Sequence, residues 1–144
     1  MSLKARALRL LAQREHSRLE LERKLREHEV QPGELAAALD ALQARGFICD
    51  ERVADSVLHR RAGKLGAARV RTELQAKGLD DAVVRQAVEV LRATEHERAR
   101  AVWQKKFGQP AADAAERAKQ MRFLASRGFS ADVVRQVVSG HHED

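Results

Sequence analysis

Residues 74–88 read Leu74-Gln-Ala-Lys-Gly78-Leu79-Asp-Asp-Ala-Val83-Val84-Arg85-Gln86-Ala-Val88, and fifty residues later 124–138 read Leu124-Ala-Ser-Arg-Gly128-Phe129-Ser-Ala-Asp-Val133-Val134-Arg135-Gln136-Val-Val138. The leucine, the glycine, the Val-Val-Arg-Gln run and the closing valine are the same in both. A fainter copy lies 49 residues upstream, where Leu21 and Leu25 match Val70 and Leu74, Val30 matches Leu79, and Leu35, Leu39 and Leu42 match Val84, Val88 and Leu91. Self-similarity at such a period marks tandem units that gain stability from their neighbours. The chain therefore reads as three units, 1–48, 49–93 and 94–144.

Each copy carries the start signal of a helix. An apolar residue stands just before the cap and another at the fourth helical position, the hydrophobic-staple arrangement, with pairs Val30/Leu35, Leu79/Val84 and Phe129/Val134. The expected caps are Gln31 with Pro32 at the first helical position, then Asp80, then Ser130. Gly78 and Gly128 are placed to end the preceding helices in a left-handed conformation, whereas Glu29 holds that place in the first unit. Ser17/Glu20 and Thr94/Glu97 have capping-box spacing, Asp50 is a further cap, and Gly108-Gln109-Pro110 breaks the chain.

Ala, Leu, Arg, Glu, Lys and Gln dominate, prolines number 2 and glycines 8, and no alternating Val/Ile/Thr run occurs, so the class is all-α. The pattern predicts helices over 3–15, 17–28, 32–45, 50–64, 67–77, 81–93, 95–107, 111–127 and 131–139. Stacked on one line, three such units form an elongated, curved array with a long surface.

The chemistry of catalysis is sparse. No phosphate-cradling glycine loop occurs. His96-Glu97 opens like a zinc-protease motif, but Arg100 stands where the second histidine belongs, so neither a metal nor a cofactor is expected. His141-His142-Glu143-Asp144 reads as a solvated tail. Cys49, the 1 cysteine, reads as a small half-buried residue beside Phe47 and Ile48 and fits a reducing compartment. No apolar segment of signal-peptide or membrane-spanning length follows Met1, so a cytoplasmic protein is expected. Trp103 and Phe107 read as core rather than base-stacking aromatics. Pairs such as Glu20/Lys24 and Glu73/Lys77 are ordinary helix-stabilising contacts.

Lys and Arg number 27 against 21 Asp and Glu, a net charge of +6 that favours polyanionic partners. The densest positive stretch holds Arg60, Arg61, Lys64, Arg69, Arg71 and Lys77 against Glu73. Later runs hold Arg98, Arg100, Lys105 and Lys106, then Arg117, Lys119, Arg122 and Arg127. A ligand-facing strip and a solvated helix face are both consistent with such runs.

Phe47-Ile48-Cys49-Asp50-Glu51-Arg52-Val53-Ala54, Arg60-Arg61, the stretch from Gly66 through Arg69-Val70-Arg71-Thr72-Glu73-Leu74-Gln75-Ala76-Lys77-Gly78-Leu79, and Phe123-Leu124-Ala125-Ser126-Arg127-Gly128-Phe129-Ser130 together resemble the RecX family, modulators of the RecA recombinase. Val53 stands where that family commonly has phenylalanine. The resemblance implies a non-enzymatic regulator without cofactor. It would lie in the helical groove of RecA filaments on single-stranded DNA and inhibit filament extension, ATP hydrolysis, strand exchange and co-protease activity. Arg60, Arg61, Lys64, Arg69, Arg71 and Lys77 are then expected to carry the central contact, with Arg122 and Arg127 adding to it from the third unit. Whether they meet acidic RecA side chains or DNA phosphates is open at this stage. Charge reversal of Arg69 and Arg71 is expected to weaken inhibition without loss of fold. A direct DNA-binding module of helix-turn-helix type is the alternative. A monomer is expected, with exchange of a terminal unit as a route to a dimer.

Overall fold

The computed structural model describes residues 1–140. Among them it has nine α-helices and no strand. The first unit holds α1 (Leu3–Gln13), α2 (Arg18–Leu25), which runs into a 3₁₀ turn (Arg26–His28), and α3 (Glu34–Ala44). The second holds α4 (Asp50–Arg61), α5 (Ala67–Ala76) and α6 (Asp81–Ala93). The third holds α7 (Glu95–Lys106), α8 (Ala114–Ser126) and α9 (Ala131–Ser139).

Each set of helices closes on its own apolar cluster. Leu21, Leu39 and Leu42 lie at the centre of the first, Val57, Val70 and Leu74 of the second, and Ala99, Leu124 and Val138 of the third. Helix packing is strong within each unit, and among the described residues α6 against α7 is the one comparably packed pair that joins two units. The accessible surface is 8877 Å², against about 7,400 Å² for a compact monomer of 16.1 kDa. The excess is what an extended row of small cores produces.

The turns explain why the second and third units are alike. Gly78 at φ 72° and Gly128 at φ 90° end α5 and α8 in the left-handed region. Leu79 and Phe129 then bury beside Val84 and Val134. Ser130 caps α9 by accepting from the Val133 N–H at 3.3 Å, whereas Asp80 holds the corresponding position without a side-chain cap bond.

The first unit departs from this plan. Val30 is 84% exposed and makes no staple with Leu35. Glu29 occupies the glycine position, the chain leaves α2 through the 3₁₀ turn, and the left-handed residue is Gly33 at φ 85°, the N-cap of α3. Helix α3 thus starts at Glu34, past the expected Gln31-Pro32, and the Glu29 carboxylate accepts from the Leu35 N–H at 2.9 Å.

Three further boundaries differ. Cys49, not Asp50, is the N-cap of α4, because the Asp50 carboxylate is engaged by the Asp80 N–H at 3.0 Å. Thr94 makes no capping box with Glu97; its hydroxyl points back to the Leu91 carbonyl and accepts from Arg98 Nε. Helix α8 begins at Ala114, with Asp113 accepting from the Glu116 N–H at 2.8 Å, because a short carboxylate at that point satisfies the first turn. The Ser17/Glu20 capping box is present in full. The tail His141–Asp144 lies outside the described residues.

Candidate interaction surface

The eight cations singled out in the sequence divide into two groups. Arg60, Lys64, Arg71 and Arg122 are exposed, and none is tied by its side chain to a partner among the described residues. Arg61 pairs with Glu73 at 3.2 Å between α4 and α5. Lys77 pairs with Glu20 at 3.3 Å and joins the second unit to the first. Arg69 Nη1 donates to the Ser126 carbonyl at 2.6 Å and joins the second unit to the third. The Arg127 guanidinium lies 4.8 Å from the centroid of the Phe123 ring. A basic run in a sequence does not separate these two classes; the distinction arises from which carbonyls and acids the neighbouring unit presents.

The joint between the second and third units is built largely from main chain. The Gly66 N–H donates to the Arg127 carbonyl at 2.7 Å and the Ala68 N–H to the Gly128 carbonyl at 3.3 Å. Approach this close requires glycine on both sides: a Cβ on Gly66 would lie 2.4 Å from Gly128 backbone atoms, and one on Gly128 would lie 2.3 Å from Arg69 Cγ. Beneath this contact sit Glu95, which sequence reasoning passed over, and Arg98, which it read as one charge of a basic run. Glu95 is 3% exposed, and its carboxylate accepts from the Ala67 N–H at 3.1 Å and the Ser130 N–H at 2.8 Å, holding the starts of α5 and α9 together. Arg98 donates to the carbonyls of Ala62, Leu65 and Leu91 at 2.8, 2.6 and 2.7 Å. Burial lowers its pKa and the nearby Glu95 charge raises it; an arginine starts so high that it stays cationic.

A signal for Glu95 was present in the repeat. Asp50 heads α4 as Glu95 heads α7, and each accepts from the N-cap residue of its unit's third helix, Asp80 or Ser130. In the second and third units, an acid at the first position of the first helix therefore fixes the entry to the last.

The joint between the first and second units uses side chains. Besides Lys77–Glu20, Arg52 pairs with Glu15 at 3.1 Å and donates to the Gly46 carbonyl at 2.6 Å, and Leu19 packs where a Gly78 side chain would project. Burial pushes the Glu20 carboxyl pKa up, but hydrogen bonds from Arg14 and the Ser17 N–H, with the Lys77 and Arg14 charges, outweigh it and bring it down to about 2. His16 is 1% exposed. Desolvation lowers its pKa, and the Lys24 and Arg14 charges act the same way against the bond to the Arg14 carbonyl and the charge of Glu20.

Trp103 is buried and donates to Gln120 Oε1 at 2.9 Å, so it belongs to the third core. Among the described residues no group of three His, Cys, Asp or Glu side chains is arranged to hold a metal ion, and no helix is long and apolar enough to cross a membrane.

Models of three RecX domains match in order along the chain: the first three-helix domain over residues 4–42, the second over 50–88 and the third over 93–138. The chain belongs to the RecX family. Regulatory protein RecX of Leptothrix cholodnii is 56% identical over 146 residues, covering 100% of this chain and 93% of the relative. Regulatory protein RecX of Ralstonia pickettii is 46% identical, covering 99% and 90%. The crystal structure of RecX from Lactobacillus salivarius superposes with a TM-score of 0.82 at 21% identity over 96% of this chain and 93% of that one. A second crystal structure of a RecX regulatory protein gives a TM-score of 0.73 at 20% identity, covering 94% and 70%. At these identities the structural likeness speaks for the fold, and the chain is a member of a family of regulatory proteins.

Proposed function

We propose that this RecX-family chain regulates RecA by lying in the helical groove of RecA filaments on single-stranded DNA and bridging adjacent protomers. The observation that carries the reading is a row of coupled three-helix units from which Arg60, Lys64, Arg71 and Arg122 project with no partner among the described residues. Units 1–48, 49–93 and 94–144 act together as a monomeric clamp in the cytoplasm. Contacts that are weak singly add through effective concentration when one body presents them to successive protomers. Holding neighbours in one arrangement opposes the motions of ATP turnover, and inhibition of filament extension, hydrolysis, strand exchange and co-protease activity follows without any bond being made. Arg69 and Lys77 serve this function by keeping the units in register, and Arg61 and Arg127 by holding their own units together, in keeping with their internal partners.

The test is RecA ATP hydrolysis on single-stranded DNA with sub-stoichiometric chain added. Hydrolysis is expected to fall and filaments to shorten; unchanged hydrolysis and length remove the reading. Tight sequence-selective binding to naked duplex DNA, with a log–log salt slope of about −0.9 per neutralised phosphate, supports the DNA-binding alternative instead.

A further inference from the structure

A groove of about 460 Å³ runs between the end of α4 and the α7–α8 pair, so the second and third units both line it. Its floor is apolar, formed by Val102 and Phe123. Its rim carries Lys64, Lys105, Lys106 and Arg127, and none of the lining residues is acidic. Among the described residues no carboxylate pairs with any of these four cations. Lys106 Nζ and Arg127 Cζ lie 5.3 and 4.8 Å from the centroid of the Phe123 ring, and Phe107 meets that ring edge-on with centroids 5.5 Å apart.

We infer that this groove docks an acidic protein segment with one apolar or aromatic anchor residue among its carboxylates. The rim supplies charge for the carboxylates, and the floor supplies a surface that gains by losing water. Single-stranded nucleic acid fits less well. The rim matches phosphates as well as carboxylates, but a phosphate backbone leaves the apolar floor without a counterpart. The inference deepens the filament reading and rests on it in taking the partner to be a protein.

The test is fluorescence anisotropy with a labelled peptide of about ten residues, acidic side chains flanking a single phenylalanine, titrated with the full chain. Replacing that phenylalanine by serine is expected to weaken binding about tenfold, the share of a partly buried aromatic. Lys64→Glu and Lys105→Glu, at exposed positions in different units, are each expected to weaken it about tenfold with unchanged circular dichroism. Three results overturn the inference: no binding of the peptide, equal binding of the serine form, or displacement of the peptide by oligo-dT at matched charge. The last assigns the groove to nucleic acid. Because RecA hydrolysis is measured separately, inhibition without peptide binding removes only this inference. Peptide binding without inhibition removes the filament reading.

Discussion

Glu95 is buried with two backbone N–H groups on its carboxylate, and neither has another acceptor among the described residues. Glu95→Ala leaves both unsatisfied and is expected to cost about 2–4 kcal/mol of unfolding free energy in urea denaturation. Gly128→Ala is expected to be comparably damaging, since the new Cβ meets Arg69 at 2.3 Å in a residue held at φ 90°. Acid acts on the other joint. Glu20 titrates at about 2 in the folded chain against 4.5 for a free carboxyl, so its contribution is complete above pH 4.5 and is lost as pH falls toward 2. This contribution is on the order of 2 kcal/mol. His16, also held below its ordinary 6.5, removes stability as pH drops beneath that value, because the unfolded chain then binds the proton more readily. Chemical denaturation across pH 2–7 checks both: Glu20→Gln flattens the lower part of the profile and leaves the part near pH 6 in place.

Among the helices, the apolar period and the turn glycines made α5, α6 and α9 legible to within a residue, because local signals and tertiary packing agree there. They agree less where a capping side chain has two uses. Asp50 and Thr94 carry cap chemistry, yet each spends its side chain on a residue outside the first turn of its own helix. Val30 was misread because alignment with Leu79 fixes its place in the repeat but not the turn that Glu29 imposes. The caps yield a contrast to measure. Ser130→Ala is expected to cost about 1 kcal/mol, while Asp80→Ala, whose side chain makes no cap bond, costs a few tenths at about the limit of a thermal melt.

Across the molecule, the family and the tandem plan were readable from the motifs, but the division of labour among the arginines was not. Arg69 and Arg71 are two residues apart, yet one is tied to Ser126 across a joint and the other is exposed, with no side-chain partner among the described residues. Paired charge reversal, read from the sequence as a purely functional lesion, therefore mixes two effects. Arg71→Glu alone is expected to weaken inhibition of RecA hydrolysis with an unchanged melting temperature. Arg69→Glu is expected to lower that temperature by a few degrees, about 1–2 kcal/mol for a lost charged hydrogen bond. Side-by-side melts and hydrolysis assays check the split.

The two joints also differ in mechanical kind. Amide-to-carbonyl bonds between glycine-bearing turns depend little on electrolyte, whereas the contact formed by Glu20, Lys77, Arg52 and Glu15 is electrostatic. Added salt slackens the second type preferentially. The ionic milieu is thus expected to loosen the attachment of the amino-terminal third before it touches the main-chain seam that fastens the other two.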